Sequence, residues 1–308
     1  MGTDRAFPSS RPRARRARHP YSASRRFAAK CRGCPRPLTI ALPASQELSS
    51  ALDTDTPHLE FVDEGSNRIL GRLHLKRSQA LRFSSTTAIL FHVPSGTDHC
   101  QPWAQRTLGQ IAGRVRARRR SSSAAGLMSQ AAIERLHIFY ICPRPVALVS
   151  ACEGREGNLF PMDLIGLFGE GRFTLALRNT SPSVATMKRI RTIVLSDIAP
   201  TDCGTAYRLG AHHKIAAIDW HTLPFAVHRT MRSNIPYPAI ALRVRELDLL
   251  EHATTGSHTL FMAEITADYP VSAGPRLFHT TSSHLRFRSR RGIPLQGAYP
   301  DGSLSPLP

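Results

Sequence analysis

The stretch from Arg144 to Arg191 constrains the fold of this chain more than any other: RPVALVSACEGREGNLFPMDLIGLFGEGRFTLALRNTSPSVATMKRIR. Three short runs of β-favouring residues are separated by Gly-containing turns, and a helix follows. Arg144–Ala151 is mostly apolar and ends in the polar turn CEGREG. Asn158–Gly166 is an apolar run around a single acid, Asp163. Phe173–Arg178 alternates Phe, Leu, Leu with Thr, Ala, Arg, the pattern of a strand with one face buried. Ser181 then suits an N-cap and Pro182 the first helical position, and VATMKRIR carries helical spacing with its basic residues late. Short strands joined by tight turns predict a mainly β chain with short helices.

The flanking sequence extends this pattern. Thr192–Ile198 reads as a buried strand. Ala239–Leu247 alternates Ile240, Leu242 and Val244 with Ala and Arg, and His258–Tyr269 follows an ATTGS turn, so these two predict an antiparallel hairpin. Residues 201–220 are a polar excursion with short helical possibilities. Within it, His212 and His213 are adjacent, and on a strand their rings point to opposite faces. They make a poor metal pair and are better read as surface or cofactor-edge groups. The segment PRLFHTTSSHLRF, 275–287, is predicted as a last edge strand, and Met128–His137 as a helix. Leu59–Val93 reads as a small β meander, and Pro102–Ile111 has helical potential.

The predicted division is a disordered basic Arg/Pro/Ser-rich tail at 1–57, a small β-rich segment plus linker at 58–127, the main domain at 128–288, and a disordered tail at 289–308. A formal charge of +19 permits nonspecific attraction to nucleic acid or anionic membranes. Much of it sits in three clusters, the first 36 residues, Arg114–Arg120 and Arg286–Arg291, which read as solvated segments. The Arg/Ser-rich start has the composition of a transit peptide, and equally of a disordered tail or of an extension from a misplaced start. Cys31 and Cys34 form a lone CxxC without a second ligand pair, so a structural zinc site is not predicted. No apolar run reaches membrane-spanning length, and a cytoplasmic protein without membrane partners is expected.

Four segments, in order, resemble the flavin reductase-like family, the FMN-binding split barrels. They are RPVALVS, the Asn-initiated NLFPM after a Gly turn, the strand ending in a Ser/Thr loop, and GSHTLFMAEI at Gly256–Ile265, which is similar to the family's Gly-x-His strand opening. The resemblance covers 136–287. It implies an antiparallel Greek-key split β-barrel, a homodimer, and noncovalently held FMN. Residue by residue, it implies that Asn158, Phe160, Pro161, Met162, Asp163 and Leu164 line the isoalloxazine edge, largely through backbone groups. A buried strand with a Pro bulge is the alternative. Arg178, Asn179, Thr180, Ser181 and Ser183 are expected to hold the phosphate, or else to form a plain helix cap. His258 is expected beside flavin or nicotinamide, or in a structural hydrogen bond. Arg144 is expected near the phosphate or in a surface pair. Asp163 stands where the family commonly has Ser or Thr.

No nucleophilic triad, Walker loop or GxGxxG after a strand is present, and the acids form no catalytic pair. That suits a cofactor which brings its own reactive atom. The resemblance therefore implies an FMN-dependent oxidoreductase, most concretely a flavin reductase driven by NADH or NADPH, with a partner oxygenase as one recipient of reduced flavin. The alternatives are a non-enzymatic FMN-binding protein for storage or redox sensing, and a basic nucleic-acid-associated protein; no specific nucleic acid is expected.

Overall fold

The structure, a computed structural model, describes residues 38–44, 57–63, 67–100, 130–154, 156–168, 172–280 and 282–291, with short backbone pieces at 11–14, 17–18 and 24–26 and isolated helical positions between 104 and 111. The CxxC pair, the linker at 114–126 and positions 292–308 of the predicted final tail lie outside the described residues; the first residues of that tail, Ser289 and Arg290, are helical, which corrects the disordered reading there.

The main domain is built on seven antiparallel strands: β7 (Ala147–Glu153), β8 (Glu156–Met162), β9 (Ile165–Leu167), β10 (Arg172–Arg178), β11 (Thr192–Ile198), β12 (Ala241–Thr255) and β13 (His258–Pro270). Their spatial order is β8-β7-β11-β12-β13-β10-β9, so β8 and β9 are the two edges. The predicted single run Asn158–Gly166 is thus two strands. The chain leaves one edge at Met162 and joins the other at Ile165, with only Asp163 and Leu164 between. Three residue steps span at most about 11 Å, so the sheet must curl until its edges nearly meet, although no ladder closes it. A single apolar cluster draws Val149, Phe160, Ile165, Leu175, Leu195, Leu247 and Phe261 from all seven strands into the concave interior. Helix α2 (Ser183–Arg189) adds Val184 and Met187 to that interior.

Both halves of the outer face are covered. The excursion between β11 and β12, with α3 (Cys203–Leu209), packs on Leu148 and Ile198. On β10 and β13, Ala176, Leu260 and Met262 share a core with the N-terminal β segment and with α1 (Gln130–Phe139). That segment contains β1 (Leu38–Pro43), β2 (His58–Val62), β3 (Ile69–His74), β4 (Lys76–Arg82), β5 (Thr87–Val93) and β6 (Gly96–Asp98). The predicted hairpin around DEGSN is β2–β3. Strand β1 corrects the disordered reading of 1–57 at those positions: LTIALP pairs along β5 and buries Leu38, Ile40 and Ala41.

Downstream, only Phe278–His279 of the predicted last strand is extended, pairing with Arg144–Pro145; Ser282–Arg290 is helix α4. His284, Phe287 and Arg288 are buried, at the i, i+3, i+4 spacing of one helix face. Burial pushes the His284 imidazole down to about 4, with the Arg288 charge adding to it. The unfolded chain therefore binds more protons than the folded one between about pH 6.5 and 4, and stability falls as pH drops through that window. This single group costs about 2 kcal/mol between pH 7.5 and 5. Urea midpoints at the two pH values check this; His284→Leu removes most of the difference, and an unchanged difference would assign it elsewhere.

Candidate functional site

The free edge of β8 organises the site. Carbonyls of alternate residues point outward from an edge strand, and here all three in a row are occupied. Gly157 O accepts the Ile218 N–H at 2.9 Å, Leu159 O accepts His212 Nδ1–H at 2.7 Å, and Pro161 O accepts His213 Nε2–H at 2.8 Å. Pro161 has no N–H to leave unpaired, which suits an edge. His212 and His213 lie in a 3-10 segment, Gly210–Lys214, not on a strand, so both rings reach the same edge. Burial lowers the His213 pKa more than the Pro161 carbonyl raises it, which keeps the ring neutral with its proton on Nε2. Its ring also packs on Phe160, centroid to centroid 4.9 Å.

Asn158 fastens this cover. Its buried Nδ2 lies 2.9 Å from His212 O and from Ile215 O and 3.0 Å from Ser183 Oγ, two N–H groups shared among three acceptors, while its Oδ1 accepts Leu159 N–H. Asn158 is thus spent on holding the 210–215 segment and the start of α2. Phe160 and Met162 face the interior cluster, and Leu164 faces the core shared with the N-terminal strands. None of these three side chains lines a ligand, and their backbone is already engaged: Phe160 and Met162 pair with Val149 and Ala147, and Leu164 O accepts Ala176 N–H at 3.0 Å.

Loop 178–183 sits beside the β12–β13 turn. Arg178 pairs with His258 in register, and Gly256 takes a positive φ of 59° in the two-residue turn. Asn179 ties the two together: its N–H bonds Ser257 O at 2.9 Å, its Nδ2 bonds Gly256 O at 3.0 Å, and its Oδ1 accepts the Thr259 hydroxyl at 2.9 Å. His258 is buried, its Nδ1 2.9 Å from Ser257 Oγ.

The predicted cap shifts by one residue. Pro182 is the N-cap, and Val184 and Ala185 donate three residues back in a tight first turn. Ser181 does not cap; its buried Oγ has no partner among the described residues. Arg178 and Thr180 remain exposed. An exposed guanidinium, an exposed hydroxyl and a buried unsatisfied hydroxyl form a donor set whose chemistry fits a phosphate.

Asp163, at the crossing from one sheet edge to the other, gathers groups that the sequence analysis did not assign to the site. Its Oδ2 accepts from Tyr140 Oη and His279 Nδ1, both at 2.6 Å. The two rings lie 4.3 Å apart. Arg144 is buried, with its guanidinium over Phe139 and its Nε donating to Asp163 O at 3.3 Å, not in a surface pair. Burial favours the neutral acid, but the bonds from His279 and Tyr140 outweigh it and hold the Asp163 carboxyl at about 2. Through the His213–Pro161 and Asn158–Ser183 bonds, the β8 edge adjoins both the crossing and the end of loop 178–183.

No protein-family model matches the chain, and no curated protein matches it in sequence. The solved structures to which it is similar include flavin reductases and FMN-binding proteins. One is the NADH:FAD oxidoreductase SgcE6 of Streptomyces globisporus C-1027, with 14% identity over 47% of this chain and 85% of that one and a TM-score of 0.42. Another is an FMN-binding protein from Thermus thermophilus with bound 1-cyclohex-2-enone, with 21% identity over 42% and 71% and a TM-score of 0.37. BorF, the flavin reductase component of a bacterial two-component tryptophan halogenase, has 14% identity over 47% and 91% and a TM-score of 0.42. Among the described residues, no helix is long and apolar enough to cross a membrane.

Proposed function

We propose that the chain is a flavin-dependent oxidoreductase on a split barrel, binding FMN and accepting reducing equivalents from NADH or NADPH. The observation that supports this is convergence. Three of the four segments singled out in the sequence meet around one patch: Asn158 bonds Ser183, and Arg178 and Asn179 adjoin His258 and its turn. The remaining segment, through Arg144, bonds the Asp163 carbonyl at the strand crossing.

When bound, the flavin supplies the redox chemistry. The chain's own residues do the rest. Arg178, Thr180 and Ser181 offer donors to the phosphate. The β8 backbone, held flat by His212, His213 and Asn158, forms a wall for the ring. Asp163, ionised and braced by Tyr140 and His279, puts a fixed negative charge at the crossing. The proposal includes a homodimer, because the donor patch opens on an exposed face, and a partner oxygenase that takes up reduced flavin.

The test uses the full chain with NADH and NADPH, with and without added FMN or FAD. Flavin-dependent oxidation of a nicotinamide is expected. Saturable flavin binding without oxidation would assign the chain to storage or redox sensing instead, and neither binding nor oxidation would end the flavin proposal. Sedimentation of the same sample reports the assembly; a monomer that still binds flavin would remove the dimer.

A further inference from the structure

We propose that the cleft between the end of α2 and the turn at Thr230–Ile235 is a second anion site, which takes the phosphate groups of a small phosphorylated molecule. Its volume is about 630 Å³, within the usual size of small-ligand pockets and roomy enough for a nucleotide. None of its lining residues belongs to the candidate site described above.

Its charge is one-sided. Arg191, Arg229 and Arg232 line it against a single acid, Asp248. Asp248 is already matched: Arg232 Nη2 lies 3.3 Å from its Oδ2, and the Thr192 hydroxyl donates to its Oδ1 at 2.8 Å. Arg229 spends one N–H on Asn234 O at 2.7 Å, and its other donors have no partner among the described residues. Arg191 is exposed and has no acidic partner among the described residues. The neighbouring Glu153 is not available to it, being paired with Arg189 at 2.6 Å. Two guanidinium groups therefore face the cleft with donors to spare, in the planar fork geometry that matches phosphate oxygens.

The wall that carries Arg229 and Arg232 is preformed. Buried Thr230 exchanges backbone bonds with Ile235 and Asn234, and its hydroxyl accepts Ile235 N–H at 3.2 Å. Asn234 holds φ at 55°. Ser233 N–H donates to the buried carboxylate of Glu246 at 3.0 Å. A ligand thus meets a turn already ordered, which lowers the entropy cost of binding.

The experiment is calorimetric titration of the full chain at low salt with inorganic pyrophosphate, ADP and adenosine. None carries a flavin or a nicotinamide, and the Arg191 and Arg178 variants separate this cleft from the phosphate donors of the oxidoreductase proposal. Pyrophosphate and ADP are expected to saturate one site per chain, and adenosine none. Equal affinities assign the site to the phosphates alone and tighter ADP assigns it to a nucleotide; either upholds the site. The double variant Arg191→Ala/Arg229→Ala is expected to weaken both about tenfold or more. Arg191→Ala alone, which touches no internal bond of the turn, should already weaken them severalfold, with Arg178→Ala unchanged. Unsaturable binding, an Arg191→Ala variant that binds as the parent does, or equal weakening by Arg178→Ala would overturn the proposal.

Discussion

Replacing Asp197 by Ala is expected to destabilise the folded chain by about 3–5 kcal/mol, the cost of breaking a buried ion pair from one side. Asp197 is almost fully buried on β11, bonded to Arg245 of β12 and, at 2.9 Å, to Arg276. Arg276 is half exposed and can turn to water, but the Arg245 side chain is only 12% exposed and lies over the Phe173 ring. Without Asp197 the Arg245 charge stays buried in the sheet, and the acid opposite it, Asp268, is already paired with Arg243. Such a loss is a large fraction of the roughly 5–15 kcal/mol that holds a typical protein folded. Urea unfolding of Asp197→Ala measures it. The double variant Asp197→Ala/Arg245→Met should recover much of the loss, since it removes the stranded charge and keeps the apolar contact with Phe173. A single variant within about 1 kcal/mol of the parent would mean that water reaches Arg245.

Removing the Arg178 charge is expected to weaken FMN binding by roughly 1.5–3 kcal/mol, the scale of a charged hydrogen bond, or about 10- to 150-fold. The side chain is exposed at the end of β10, beside the exposed Thr180 and the unsatisfied Ser181 hydroxyl. The tight first turn of α2 already uses the Val184 and Ala185 N–H groups. Helix N–H groups therefore offer a phosphate less than a regular helix start would, and a larger share falls to Arg178. Riboflavin lacks the phosphate, so Arg178→Ala should leave its affinity nearly unchanged. Equal weakening of both ligands would mean that the variant disturbs the β12–β13 turn through Asn179. No weakening of either would place the phosphate elsewhere.

How much of this was legible in the sequence depended on whether the pattern was local. Thr192–Ile198 was read to the residue, because an apolar run between turns marks a strand buried on both faces. His258 was read as the start of its strand, because the Gly256 turn before it is a local signal. Asn158–Gly166 was read as one strand, because hydrophobicity does not record that a chain changes sheet edge at Asp163. LTIALP was lost in the average of an Arg/Pro-rich tail. The helix Ser282–Arg290 carried a readable 3.6-residue period at His284, Phe287 and Arg288, masked by the β-like PRLFH before it. The pairing of His212 and His213 with one strand edge depends on a 3-10 turn, for which two adjacent histidines give no signal. Tyr140 and His279 reach Asp163 only through tertiary folding, and no spacing rule connects them.

The central claim is flavin binding at the patch joined by Asn158, loop 178–183 and the β12–β13 turn. Titration of the full chain into FMN, followed by quenching of flavin fluorescence, tests it most directly, with Arg178→Ala and riboflavin as parallel arms. The expected result is saturation at one FMN per chain, with weaker riboflavin binding and loss of that difference in Arg178→Ala. Fluorescence that never saturates with FMN or FAD would contradict the claim.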